Sequence, residues 1–295
     1  MISKTTYRTL AAQGMKDFEI LRGHPLYPDG TTLPALHERR FRWMIGALSR
    51  GLGGSGCFVP GGDDGRPSAT VVSVGCFPGS LDRILKALFA GRIHVSGVGL
   101  SISDEFRNAF LGKVYDQILA VELDPLHPGN AAAKYPTTIS LADGSADAVV
   151  AGEIIEHLYS PLHFLAEVSR VLKPGGHLIL TTPNVSYIGN VIRLATGRSC
   201  YEELATSHLY FDSEWRAHIR LYDRRELALL CRRSGLTEEV TTFLDNGEDR
   251  FYSSAKTRMK MLLLKLFYAL PMYRNNLCQV YRKNEAEGDR NAHRD

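Results

Sequence analysis

A chain of 295 residues, 44% hydrophobic and 23% charged, is long enough to bury a full core without disulfide or metal staples. Its formal net charge of +3, from 35 basic and 32 acidic side chains, is too small to argue for a nucleic-acid partner on bulk electrostatics. Cys57, Cys76, Cys200, Cys231 and Cys278 are scattered, odd in number and without CxxC spacing, which suits reduced thiols and a cytoplasmic location, and the ten histidines form no HxxxH or HExxH pattern, so no metal is expected.

Met1 to Leu10 is polar and lacks the apolar core of a signal peptide. Residues 1–68 read as an N-terminal helical extension and loop. Leu36 to Leu52 is predicted helical from Phe41, Met44, Ile45 and Leu48, and 51–68 is rich in Gly, Pro and Asp. From Ala69 strands and helices alternate. Strands are expected at Ala69–Val74, Ile93–Leu100, Gln117–Leu123, Ala146–Ala151 and His177–Thr182. Helices are expected at Ser80–Ala90, Asp104–Gly112 and Pro161–Leu172, the last stopped by Lys173-Pro174-Gly175-Gly176. Past Asn184 come a helix at Arg224–Ser234, final antiparallel strands at Leu236–Phe243 and Leu277–Arg282, and a polar, disordered tail at 285–295. This order implies an α/β fold: a Rossmann-like doubly wound sheet, mostly parallel, closed by antiparallel pairing at its C-terminal end.

Val71-Val-Ser-Val-Gly-Cys-Phe-Pro-Gly-Ser80 runs from strand through glycine turn to helix. Glycines let a ligand approach the backbone, the helix start offers free N–H groups, and such sheets bind ligands at the carboxyl ends of their strands. A glycine turn that merely ends a strand would look the same.

A second block is more specific. Asp143-Gly-Ser-Ala-Asp147-Ala-Val-Val-Ala-Gly-Glu153-Ile-Ile-Glu156-His157 is followed by Arg170-Val-Leu-Lys-Pro-Gly-Gly176 and Thr182-Pro183-Asn184. From Asp143 to Asn184 the chain resembles the fourth strand, crossover helix and fifth strand of class I S-adenosylmethionine (SAM)-dependent methyltransferases, and a looser resemblance covers about 69–245. The glycine loop, Glu122-Leu-Asp-Pro and a late His218-x-Arg220-x-Tyr222 are similar to a bacterial subgroup associated with polysaccharide or secondary-metabolite pathways. The resemblance implies a methyltransferase domain over 69–284, with 185–222 and 245–275 as acceptor-side inserts. It implies SAM as cofactor, S-adenosylhomocysteine as product, and O-methylation of a sugar, glycan or other small metabolite. A catalytically degenerate methyltransferase fold serving as a binding protein is the alternative.

Three departures stand out. The family's cofactor loop has an acid where Ser73 stands and a glycine where Phe77 stands, and Gly99 replaces the acid that usually ends the second strand and holds the ribose. Asp104 or Glu105 could stand in for that acid from the following helix. On the resemblance, Gly75, Cys76, Phe77, Gly79, Gly152 and Glu153 would also contact the cofactor, with Glu122 or Asp124 taking the adenine amino group. His157 is the candidate general base, and Glu153, four residues earlier, would share its face on a helical turn. Asn184, His218, Arg220 and Tyr222 are candidates for the acceptor side. The expected partner is a small-molecule or glycan acceptor and not a nucleic acid, since no Asn/Asp-Pro-Pro-aromatic motif occurs. A homodimer is left open. The stretch 256–283 mixes Lys and Arg with large apolar residues, which fits either a packed insert or a peripheral membrane contact. Its longest apolar run, Met261 to Leu270, is about half of what a membrane-spanning helix needs.

Overall fold

A computed structural model describes residues 2–13, 31–54, 69–89, 91–100, 102–127, 135–201, 217–247, 250 and 254–285. The loop at 55–68 with Cys57, the part of the first insert at 202–216 and the tail at 286–295 therefore lie outside the described residues.

Seven strands form one sheet: β1 (Ala69–Val74), β2 (Ile93–Gly99), β3 (Gln117–Ala120), β4 (Ala146–Gly152), β5 (Leu172–Pro183), β6 (Leu236–Leu244) and β7 (Asn276–Lys283), in the order β3-β2-β1-β4-β5-β7-β6. The first five run parallel, and β7 inserts between β5 and β6, antiparallel to both. β1 and β4 are almost unbroken apolar runs because parallel strands are covered on both faces. Successive side chains alternate between those faces. Val71 joins a core formed with α1 (Lys4–Ala12), α3 (Glu38–Gly54), α4 (Ser80–Phe89) and α5 (Asp104–Phe110). Val72 and Val74 join the core on the other side, under α6 (Pro161–Val171) and α8 (Arg224–Arg233). The short α2 (Leu33–Leu36) leads into α3, α7 (Ile188–Ala195) follows β5, and α9 (Ala255–Leu264) lies between β6 and β7.

Two predicted boundaries move by more than two residues. Lys173-Pro174-Gly175-Gly176 does not separate α6 from β5. The strand starts at Leu172, opposite Ala146, and the register then jumps to His177 opposite Ala148, so the four residues form a bulged entry that Gly175 permits at φ +76°. β3 ends at Ala120 and not Leu123, because Glu122 N donates to Pro136 O (2.9 Å) and the chain leaves the sheet.

Much of the family-like block is scaffold. Arg170 ties the 139–143 loop to α6, reaching Ile139 O (2.7 Å), Leu141 O (2.9 Å), Asp143 Oδ1 (2.6 Å) and Glu167 Oε1 (2.9 Å). Asp147 accepts from Thr70 N (2.8 Å) and Lys173 Nζ (2.7 Å), linking β4 to β1 and to the bulge. These bonds fix where β4 ends, and so where the residues after it stand.

Candidate functional site

The strand order reverses between β1 and β4, and the carboxyl ends of those strands open the crevice in which doubly wound folds bind ligands. Two adjoining cavities of ≈ 150 and ≈ 190 Å³ meet there at Val74 and Gly75. Gly75 holds φ +74°, and a Cβ on it would stand 2.3 Å from Ile154 Cδ1. Gly79 holds φ +87°, and a Cβ there would meet Phe110 Cε1 at 2.7 Å. Both positions thus require glycine on backbone and on steric grounds. Cys76 is buried between them, its thiol pushed well up by burial, so it remains a protonated packing residue. Phe77 stands on the outer lip, its ring 5.4 Å from Phe106.

The first cavity is lined by His37, Arg40 and Met44 of the N-terminal helices, by Ser73, by the loop from Gly75 to Gly79, by Asp82 of α4 and by Gly152. Ser73 shares the sheet face of Val71, toward α4. There the Asp82 carboxylate lies beside the Ser73 hydroxyl and takes the Tyr115 hydroxyl, which is also 2.8 Å from Cys76 O. Burial pushes Asp82 up from 3.8 to about 6, against the two hydroxyls that favour its charge. Its Oδ1 is buried without a hydrogen-bond partner, and so is Arg40 Nε. Arg40 NH1 pairs with Glu153 Oε2 at 3.1 Å. Sequence reasoning missed both Arg40 and Asp82. Arg40 had a signal: it precedes Met44 and Leu48 by four and eight residues, so a cation interrupts the buried stripe of α3.

The second cavity is lined by Gly99 and Leu100 after β2, by Val121 to Leu123, and by Glu153, Ile154, His157 and Leu158. Glu122 borders it. Asp124 does not, because its two carboxylate oxygens accept from Tyr159 N and Ser160 N, both at 2.9 Å, and hold the start of α6. Asp104 is exposed on the first turn of α5, capped by Ser103, and lines neither cavity.

Glu153 and His157 reach the cleft by a different route from the expected helical turn. Glu153 sits at φ +57°, a left-handed conformation uncommon for a non-glycine residue, and a short 3₁₀ turn then covers Ile155–His157. The Glu153 carboxylate is held by Arg40, Thr181 Oγ1 (3.1 Å) and Asn276 Nδ2 (3.3 Å). Glu156, overlooked in the sequence, is fully buried, with Oε2 bonded to Thr182 Oγ1 (2.9 Å) and Oε1 unpartnered. Burial and the neighbouring Glu153 charge push it well above the usual carboxylate range. Two imidazoles face that carboxyl: His157 Nε2 lies 3.8 Å and His218 Nε2 4.0 Å from Oε1, and the rings are 4.8 Å apart between centroids. His218 is drawn in because Ile219 N and Arg220 N donate to Glu156 O at 2.8 and 3.1 Å. Burial lowers its pKa, which keeps the ring neutral at pH 7.

The other acceptor-side candidates do not converge on this cluster. Arg220 pairs with Glu226 at 2.6 Å, and Tyr222 is fully buried in the core under α8. Asn184 is 1% exposed, and its Nδ2 holds Met272 O (2.7 Å) and Arg274 O (2.8 Å).

Comparison with known proteins identifies the family and the fold. The family model described as a methyltransferase domain matches residues 57–239. A Mycolicibacterium smegmatis protein named as a probable S-adenosylmethionine-dependent methyltransferase is 32% identical over 94 residues, which are 30% of this chain and 35% of that one. The ubiquinone biosynthesis O-methyltransferase of Thiobacillus denitrificans is 24% identical over 234 residues, 78% of this chain and 85% of that one. At 31 to 32% identity the chain spans about a third of the length of the curated relatives it matches. One chain of the complex between the Haloferax volcanii Trm112 methyltransferase activator and a methyltransferase shares the fold, with TM-score 0.50 and 18% identity over 85% of this chain and 96% of that one.

Proposed function

The chain belongs to the methyltransferase-domain family of class I SAM-dependent proteins, and from that premise we propose that it transfers the methyl group of SAM to an oxygen of a small acceptor, such as a sugar or glycan hydroxyl or another metabolite. The observation that carries the reading is a pair of buried polar atoms without hydrogen-bond partners in the first cavity, one on an acid and one on a guanidinium. Buried polar groups ordinarily find partners. Here Asp82 Oδ1 and Arg40 Nε lack them, and both residues line the space beside the glycine loop. The methionine end of SAM carries an ammonium and a carboxylate, so an acid and a guanidinium match it. Glu122, which lines the second cavity with Gly99, would be the acid that accepts from the nucleoside end. The likeness to an O-methyltransferase supports oxygen as the acceptor atom.

SAM supplies an activated methyl group on a sulfonium. The protein's part is to bind, to align and to take one proton. With SAM bound, its sulfonium would supply the methyl group, and His157 at the rim of the second cavity would take the acceptor's hydroxyl proton. His218 and the buried Glu156 stand behind it as a proton path. Arg40 pairs with the carboxylate of Glu153, whose left-handed backbone precedes the turn that presents His157.

Calorimetry with SAM and with S-adenosylhomocysteine tests the reading, followed by transfer of a labelled methyl group to extracted small molecules. Binding with one site per chain and label in a hydroxyl-bearing acceptor are expected. Neither heat nor a thermal shift up to ~1 mM of either compound would leave a degenerate binding fold instead.

A further inference from the structure

α9 and the 3₁₀ turns that follow it, Lys265–Ala269 and Pro271–Tyr273, carry apolar side chains on two opposed faces. One face is docked: Leu264 and Tyr268 are buried against Ile188 of α7, with Tyr187, Met261 and Tyr273 around them. The other is bare. Met259, Leu262, Leu263, Leu266, Phe267 and Leu270 repeat at three- and four-residue spacing and are between 49% and 76% exposed. Six large apolar side chains in one stripe exceed the scattered exposure usual for a soluble surface.

The margins of the stripe are basic. Lys256 and Lys260, four residues apart and exposed, run along one side, and the exposed Arg258 marks the other. No acid occurs between Ser254 and Asn284. The neighbouring α7 extends the same character, with Val191, Ile192 and Leu194 exposed around Arg193. A second copy seated on this face would bring like charges together around the symmetry axis. A protein partner's apolar core would likewise leave the cations without counter-charges unless it supplied acids at both margins. An anionic bilayer answers both features, since the apolar stripe enters the acyl boundary while Lys and Arg extend to the phosphates.

We propose that the outer face of α9 and the following turns is a peripheral docking surface for an anionic lipid bilayer. It lies in the segment between β6 and β7 and packs on α7, which follows the carboxyl end of β5, so docking would hold that edge of the sheet near the membrane. The inference is independent of the proposed reaction.

Sedimentation of the full chain with vesicles of phosphatidylcholine and phosphatidylglycerol at 7:3 tests it, with pure phosphatidylcholine vesicles as comparison. The chain should pellet with the anionic vesicles and bind the neutral ones at least ~10-fold more weakly. The triple variant Leu262→Ser, Leu266→Ser, Phe267→Ser should stay in the supernatant while keeping its circular dichroism and melting transition. Lys256→Gln with Lys260→Gln should weaken binding ~10-fold or more. The proposal is overturned if the wild type does not pellet with anionic vesicles, or if the triple variant, still folded, pellets as well as the wild type. It is equally overturned if the triple variant turns a dimer into a monomer in the ultracentrifuge while neither form binds vesicles.

Discussion

Asp82 on the first turn of α4 stands beside Ser73 on β1, so a carboxylate lies next to the strand position at which the resembled loop carries its acid. The Ser73 hydroxyl faces this acid, and Tyr115, arriving just before β3, donates to it as well. Ser73 therefore does not empty the loop of negative charge. The charge stands on α4, whose positive end also favours it.

Asp82→Asn should separate binding from stability. The amide keeps the shape and the hydroxyl contacts but removes a buried charge, so the unliganded protein should be more stable at pH 8, by an amount on the order of 1–3 kcal/mol. The same change should weaken SAM by ~10-fold or more, through loss of a charge-assisted hydrogen bond. Thermal melts and calorimetry on one preparation check both. Loss of stability together with loss of binding would mark Asp82 as a purely structural residue.

The pH dependence follows from the same group. Folded Asp82 titrates near 6 against 3.8 when unfolded, so the native state holds the proton more tightly. Its contribution to stability is therefore lost as pH rises from about 4 to about 6 and is constant above that. SAM affinity should move the opposite way, rising through pH 6 as the carboxylate forms. Both trends should be absent in Asp82→Asn, measured by denaturant melts and by calorimetry between about pH 4 and 8.

His157→Gln and His218→Gln should each lower kcat by ~10²- to 10⁴-fold for His157 and by less for His218, with SAM affinity within about threefold of wild type. Burial lowers the His218 pKa below its ordinary 6.5, so any acid limb that His218 contributes to kcat should fall below that value. Near-wild-type kcat in both variants would remove the imidazoles from the proton path and leave them as packing around Glu156.

The sheet was legible because a parallel strand buried on both faces writes itself as an unbroken apolar run, as Val71 to Val74 and Ala146 to Ala151 do. Gly75 and Gly79 were legible because no other residue suits their backbone. The cluster at the cleft was only half legible. The four-residue spacing of Glu153 and His157 suggested one helical face, but Glu153 takes a left-handed conformation and Glu156 between them turns inward. Arg40, Asp82 and His218 come from three separate elements. Their convergence depends on how α3, α4 and the segment before Leu221 pack on the sheet, and local spacing carries no record of that. Arg220 and Tyr222 alternate with His218 in sequence, yet one is held by Glu226 and the other is sealed in the core, because the segment runs over the sheet edge outside any strand.

Gly75→Ala tests whether the loop tolerates any side chain. The new methyl would meet Ile154 Cδ1 at 2.3 Å, on a residue already at φ +74°. Rotation of Ile154 can relieve the contact but not the backbone cost, so a destabilisation of roughly 1–3 kcal/mol is expected. Because Gly75 joins the two cavities, SAM binding should fall further than stability does. Gly75→Ala combined with Ile154→Ala should recover part of the stability and little of the binding. Full recovery of both would show that the Ile154 contact alone requires glycine.

Asn184→Ala tests whether the residue after the fifth strand serves the acceptor or the frame. Its side chain donates to Met272 O and Arg274 O and accepts from Ser186 N at 3.1 Å, while its backbone N donates to Asn275 O at 3.0 Å. Truncation removes the donor to two part-buried carbonyls and the acceptor of one N–H, each worth about 1 kcal/mol or more. A loss of roughly 2–4 kcal/mol is therefore expected, read as a lower denaturant midpoint with unchanged slope. An acceptor contact would show differently, as a raised KM with the midpoint held. The two outcomes are distinguishable in one variant, and Asn184→Asp sharpens the choice: a carboxylate cannot donate to the two carbonyls, so it should be as destabilising as alanine if the frame is what Asn184 holds.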